Sequence, residues 1–140
     1  MSTQTRTVVD ELLHRLAAGS PDHVAELYAD RVDWRLNWPS DEHDADVPWI
    51  RTRSSREDVA DHYRTIAAEH VPEHAGFDLE RVLVDGSDAV VIGTIRNTVR
   101  RTGLSYVAHV ALHLTVRDAL IIRHHVYEDS LAVARSWSGK

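Results

Sequence analysis

Cysteine is absent from the 140-residue chain, and lysine occurs only once, at Lys140. Without cysteine there are no disulfides, no thiolate metal ligands and no cysteine nucleophile. Without an internal lysine there is neither a phosphate-loop lysine nor a Schiff-base lysine. Acidic residues outnumber basic ones by 22 to 16, and a surface of that sign repels nucleic-acid phosphates. The sequence therefore predicts no nucleic-acid partner.

Long apolar segments are also lacking. No run approaches the ~20 residues that cross a bilayer. The opening residues, MSTQTRTVVDELL, have neither the apolar core nor the small-residue cleavage site of a signal peptide. The hydrophobic fraction of 43% is sufficient for a core, and the length fits one domain. We therefore expect a single domain over residues 1–140, located in the cytoplasm and without a membrane partner.

Helical and extended periodicities follow one another along the chain. Apolar residues recur with the helical period over 7–18, and Gly19 ends that helix. Ser20 is a typical cap of a second, short helix, and Ser55 of a third that Pro72 stops. Strands are predicted at 32–36, 77–84, 89–96, 105–116 and 120–127, and a last helix is predicted at 130–137.

The breaks between the last four strands are short, which predicts antiparallel neighbours, because a parallel pair would need a crossover helix. We therefore predict an α+β fold with helices on one face of a curved antiparallel sheet. From Ala108 to Val116 every even position is apolar and should face the core. The odd positions hold His109 and His113 but little full charge, which suits a subunit interface. We predict a homodimer through the outer face of the sheet.

Two histidine patterns resemble metal-binding motifs but have unsuitable geometry. The segment from His70 to His74 fits H-x-x-E-H, yet Pro72 interrupts the helix that this motif requires. His109 and His113 lie four residues apart on a predicted strand, about 13 Å, which is too far for one metal ion. The sequence therefore predicts no metal site. With no glycine-rich phosphate loop, it also predicts no cofactor.

A long polar connection, residues 37–54, carries the two tryptophans Trp38 and Trp49. Its prolines and its acidic run, residues 41–46, favour irregular structure. A loop of this length with aromatic side chains often folds over a pocket or a partner. We predict that both indole rings cover the mouth of a pocket and that the acidic run remains solvated.

The end of the last strand concentrates acids, histidines and aromatic residues. His125, Tyr127 and Asp129 share one face if the strand continues to the helix. A carboxylate held among aromatic residues loses hydration, and its pKa rises toward the range of general acid–base catalysis. Alternatively, Asp129 caps the helix that begins at Ser130, because aspartate is a favoured cap. Both interpretations stay open at this point.

Three segments resemble the SnoaL-like branch of the nuclear transport factor 2-like superfamily, which includes polyketide cyclases and ketosteroid isomerases. They read LAAGSPDHVAELYADRVDWRLNWP, PWIRTRSSREDVADHYR and HHVYEDSLAVARSW. The resemblance covers the whole chain. It implies a cone-shaped, curved antiparallel sheet wrapped around N-terminal helices, with an apolar pocket and a short C-terminal helix. It implies less about the reaction, because the superfamily includes enzymes, binding proteins and scaffolds.

The functional residues of ketosteroid isomerases and of polyketide cyclases are matched to different extents in this sequence. The three functional positions of the ketosteroid isomerases fall here on apolar residues. The tyrosine position corresponds to Leu12, the catalytic aspartate to Leu36 or Trp38, and the second aspartate to a position near Leu112. That mechanism is therefore not expected. Polyketide cyclases place an acid–base aspartate at the end of the last strand, and Asp129 matches it. The glutamine that follows in those enzymes is absent here.

The resemblance and the residues together predict a small-molecule enzyme of the lyase or isomerase class. Asp129 would transfer a proton on an apolar carbonyl substrate without a cofactor, and His125 would orient the carboxylate or donate to an enolate. The alternatives are a non-catalytic protein that binds an apolar ligand and a dimeric scaffold of the same fold. The predicted substrate-binding residues are aromatic: Trp34, Trp38, Trp49, Tyr63 and Tyr127.

Overall fold

The computed structural model describes residues 2–36, 47–49 and 53–139. The predicted helices and strands occur in the predicted order, and the structure adds a short strand that begins in the predicted connection 37–54 and a 3₁₀ turn after the third helix. No helix among these residues is long and apolar enough to cross a membrane. The elements are helices α1 (Ser2–Ala18) and α2 (Pro21–Ala25), strands β1 (Tyr28–Leu36) and β2 (Arg53–Ser55), helix α3 (Arg56–Glu69), a 3₁₀ turn (Pro72–His74), strands β3 (Gly76–Asp85), β4 (Asp88–Thr98), β5 (Ser105–Arg117) and β6 (Leu120–Glu128), and helix α4 (Ser130–Ser138).

The predicted helix caps are present in the structure. The hydroxyl of Ser20 accepts a hydrogen bond from the backbone N–H of His23, and that of Ser55 accepts one from Asp58. Each bond satisfies a backbone donor that the first helical turn leaves without a partner. Gly19, which follows α1, has φ of +83°, a conformation that glycine adopts without steric cost. The local sequence is therefore sufficient to position the ends of these helices.

The six strands form one mixed sheet in the order β2-β1-β6-β5-β4-β3. The antiparallel pairing predicted for the last four strands is confirmed. β1 and β6 run parallel, with Trp34 opposite His124. The predicted all-antiparallel sheet therefore differs from the structure at this pair. The local sequence does not reveal it, because no short turn joins these two strands.

The inner face of the sheet lies against the helices. The even positions of β5 from Ala108 to Val116 are buried, as their alternation predicts. Leu112, Leu114 and Val116 belong to one apolar core, and Ala108 belongs to another. The first core includes Val9 and Leu12 of α1, Val59 of α3 and Leu114 of β5. The second core consists of Val47, Trp49, Val99, Tyr106, Ala108 and Val133.

We expect Ala119→Gly to raise the free energy of unfolding by up to about 1 kcal/mol. Asp118 and Ala119 form the turn between β5 and β6, and both have positive φ, 52° and 64°. That backbone brings a Cβ too close to the following carbonyl oxygen, whereas glycine adopts it freely. Urea denaturation measures the gain. Gly86, in the β3–β4 turn, has φ of 62°, so Gly86→Ala should lower stability by a similar amount. A loss of stability in Ala119→Gly would contradict this explanation.

Candidate functional site

Aromatic and imidazole rings surround Trp34 on the inner face of β1 and β6. Trp34 stacks on His124 with ring centroids 3.7 Å apart and planes 7° from parallel. From α3, His62 and Tyr63 meet the indole edge to face at 4.7 Å and 6.4 Å. Tyr28 lies 6.3 Å from the same ring. We call these five residues the Trp34 cluster. It depends on the parallel pairing of β1 with β6, which places Trp34 opposite His124.

A buried hydrogen bond joins two members of the Trp34 cluster. The hydroxyl of Tyr28 lies 2.8 Å from Nδ1 of His124. Burial lowers the pKa of His124 well below its ordinary value, and the nearby His62 and His125 add to the effect. Burial also raises the pKa of Tyr28 well above its ordinary value and that of Tyr63 to about 12. The imidazole of His124 and both phenols are therefore neutral near pH 7.

The indole N–H of Trp34 is a buried donor without a hydrogen-bond partner among the described residues. The residue is only 2% exposed. A buried donor left without an acceptor costs about 1–3 kcal/mol, because it gave up its hydrogen bonds to water on folding. Native structures rarely retain such a group without a reason. Trp34 therefore differs from the neighbouring Tyr28 and His124, which are hydrogen-bonded to each other.

A second buried polar group, beside the second core, consists of His70, Tyr106 and Asn97, which are joined by hydrogen bonds. Nδ1 of His70 donates to the carbonyl of Ile66 at 2.7 Å, so its Nε2 accepts from the hydroxyl of Tyr106 at 3.0 Å. The amide of Asn97 donates to the same hydroxyl. Burial lowers the pKa of His70, which keeps its imidazole neutral at pH 7. The arrangement ties the end of α3 to β4 and β5, which is a structural role.

The outer face of the sheet places His125 in a cluster of charged groups. Nε2 of His125 lies 3.0 Å from Asp33, although the atoms are not aligned as in a hydrogen bond. His113 contacts Asp88 at 3.0 Å, and Arg123 lies between the two carboxylates. Odd positions of β5 are weakly charged, as predicted, but the neighbouring strands add full charges to this face.

The two carboxyl groups of the outer face have lowered pKa values. Burial by itself would raise the pKa of Asp33, but His125 and Arg35 together lower it. Hydrogen bonds from Thr115 and His113 lower the pKa of Asp88. Both carboxylates are thus ionised at neutral pH. The part of the outer face around His125 and Arg123 therefore carries paired charges.

Asp129 lies at the exposed end of β6, directly before α4. Its side chain makes no capping hydrogen bond to that helix. Instead, Oδ2 accepts from the backbone N–H of His109 at 3.1 Å, and the N–H of Asp129 donates to the carbonyl of His109. Asp129 and Tyr127 line an open groove of about 480 Å³. The capping alternative is therefore not realised by the Asp129 side chain, which instead bonds to the backbone of β5.

The aromatic residues predicted for the site fall in different places. Trp34 and Tyr63 meet in the Trp34 cluster. Trp49 is buried in the second core, with its ring 4.6 Å from that of His70. Tyr127 is half exposed. Trp38 and the acidic run 41–46 lie outside the described residues, so the predictions that the Trp38 ring covers a pocket mouth and that the acidic run is solvated are not tested.

Three members of the Trp34 cluster were not predicted as site residues: Tyr28, His62 and His124. His62 did have a visible signal, because it occupies the apolar stripe of α3. His124 differed from His125 only in the side of β6 that it faces. That side depends on which face of the sheet is covered, and this is a property of the tertiary structure. Among the described residues no group of three or more acids and histidines could hold a metal ion.

Comparison with known proteins connects this fold to one family. A family model described as a SnoaL-like domain matches residues 9–124. No curated protein matches the sequence. The structure is similar to an NTF2-like protein from Burkholderia thailandensis, with 21% identity, 94% of this chain and 95% of that chain covered, and a TM-score of 0.80.

Two further solved structures have the same fold. A putative isomerase from Rhodopseudomonas palustris is 17% identical over 92% of this chain and 97% of that one, with a TM-score of 0.72. TerC, co-crystallised with polyporic acid, is 12% identical over 96% and 98% of the two chains, with a TM-score of 0.79. At these identities the similarity shows the nuclear transport factor 2-like fold alone.

Proposed function

This chain belongs to the SnoaL-like domain family, and from that premise we propose that it binds an apolar small molecule against the Trp34 cluster. We further propose that it performs cofactor-free acid–base chemistry of the cyclase or isomerase type on a carbonyl compound. One structural relative is a putative isomerase and another was crystallised with a small molecule, which supports this proposal.

The observation that carries the proposal is the composition of the Trp34 cluster. Stacked and edge-on rings form an aromatic patch of the core against which an apolar ligand would pack favourably. The same patch holds the hydrogen-bonded pair of Tyr28 and His124, both neutral at pH 7. A neutral imidazole has a lone pair that can accept a proton from a ligand carbon, while the phenol can donate its proton to the ligand oxygen, so that the ligand itself becomes an uncharged enol.

The proton-transfer role of Asp129, with His125 as its orienting partner, stays a prediction. The resemblance to polyketide cyclases supports it. Its position at the exposed end of β6, away from the Trp34 cluster, makes a direct test necessary.

Asp129→Asn is expected to reduce proton transfer to the uncatalysed level while the fold survives. Acetophenone serves as the probe, because a base that removes a proton from its methyl group lets deuterium from D₂O replace it. Asparagine retains an oxygen that can accept the bond from His109 but cannot act as a base. Proton NMR follows the exchange, and thermal denaturation follows the fold. Exchange that persists in Asp129→Asn but is lost in His124→Gln would assign the chemistry to the Trp34 cluster.

The alternatives are separated by the same assay. Binding of acetophenone without any catalysed exchange would identify a non-catalytic binding protein. Absence of binding would favour a scaffold. The homodimer through the outer face and the cytoplasmic location stay predictions, and sedimentation at micromolar concentration tests the first of them.

A further inference from the structure

Resting on the function proposed above, we infer that the indole N–H of Trp34 donates a hydrogen bond to an uncharged oxygen of the ligand. The ligand class is then an apolar molecule with a neutral ketone, ester or ether oxygen. Carboxylates and plain hydrocarbons would be poor ligands. Trp34 would be the residue that sets this specificity.

The first argument concerns the donor itself. Nε1 of Trp34 is buried and has no acceptor among the residues that the structure describes. Two polar atoms near it have other partners, since Nδ1 of His124 contacts Tyr28 and Nδ1 of His62 donates to the carbonyl of Trp49. An acceptor supplied by a ligand would therefore satisfy a donor that has no acceptor in the described part of the chain, which favours binding.

The second argument concerns charge. Tyr28, Tyr63 and His124 are all neutral near pH 7, since burial raises the pKa of each phenol and lowers that of the imidazole. A ligand carboxylate placed beside them would lose its hydration without gaining a cation. A ketone oxygen accepts the same hydrogen bond and brings no charge into the core. The cluster thus favours a neutral acceptor over an anionic one.

The experiment compares three probes of one size: acetophenone, ethylbenzene and benzoate. They share a benzene ring, but only the first offers a neutral acceptor and only the last is charged. We expect wild-type protein to bind acetophenone about tenfold more tightly than ethylbenzene, the effect of one well-formed hydrogen bond, and benzoate most weakly. Isothermal titration calorimetry measures all three dissociation constants.

Trp34→Phe removes the N–H and keeps an aromatic ring. We expect it to bind acetophenone and ethylbenzene within about twofold of each other. Trp137→Phe is the matched control, because Trp137 contacts Trp49 in the second core, and it should keep the full preference. Equal affinities in the wild type, a preference that survives in Trp34→Phe, or tightest binding of benzoate would each overturn the inference.

A spectroscopic measurement on the wild-type protein keeps the test independent of the folding of any variant. The indole ¹H–¹⁵N resonance of Trp34 should move downfield with acetophenone and stay in place with ethylbenzene. An unmoved resonance under saturating acetophenone would overturn the inference. If none of the three probes binds, the proposed function fails as well. If all bind without preference, only the inference fails.

Discussion

Trp49→Ala is expected to lower the free energy of unfolding by about 3–5 kcal/mol, the usual cost of deleting a buried tryptophan side chain. Trp49 is only 4% exposed. Its ring lies 4.6 Å from that of His70 and 5.7 Å, edge to face, from that of Trp137. Alanine would leave a cavity between α3 and α4 that neighbouring side chains fill only in part.

Urea denaturation followed by far-ultraviolet circular dichroism measures this loss. Leu131→Ala is the matched control, because Leu131 is 59% exposed and its truncation should change stability by less than about 0.5 kcal/mol. A loss below about 1 kcal/mol in Trp49→Ala would show that the indole does not belong to the second core in solution. It would also restore the expectation that the ring only covers the mouth of a pocket.

Lowering the pH from 7 to 5 is expected to destabilise the protein by up to about 2 kcal/mol through His124 alone. Burial lowers the pKa of this histidine well below the ordinary value of 6.5, so the unfolded chain binds a proton more readily than the folded one. The stability that the neutral ring contributes is complete above pH 6.5. It is lost as the pH falls from there toward the folded-state pKa, at up to about 1.4 kcal/mol per pH unit.

His124→Gln isolates this effect, because glutamine can retain a hydrogen bond with Tyr28 but does not titrate. We expect the variant to be less stable at pH 7 and to have a flatter dependence of stability on pH. His14→Gln, at an exposed position on α1, should leave the slope of the wild type unchanged. Equal slopes in the wild type and in His124→Gln would mean that His124 is accessible to protons in the folded state. Asp33 and Asp88 have lowered pKa values, so the stability that their carboxylates contribute is lost only at pH values below this range.

The candidate site was predictable from the sequence only in part. Aromatic character was sufficient to select Trp34 and Tyr63, which do meet on the inner face. The acid–base role of Asp129 rests on a sequence motif, and a motif does not show whether the side chain is buried or exposed. The structure places Asp129 at the exposed end of β6, bonded to the backbone of His109. Which of the two neighbours, His124 or His125, faces the core depends on contacts with distant helices, so it could not be derived from the spacing.

The sequence by itself determined the local structure of this protein. Ser20 and Ser55 cap their helices, the short turns pair the last four strands, and the alternation in β5 assigns its buried face. These features depend on interactions between residues close together in the chain, and such interactions leave periodic or turn-specific patterns. Only the tertiary structure decided that β1 runs parallel to β6, so that Trp34 stacks on His124 and its N–H finds no acceptor among the residues that the structure describes. That pairing joins opposite ends of the chain, and its register is chosen by the burial of whole faces rather than by any local pattern.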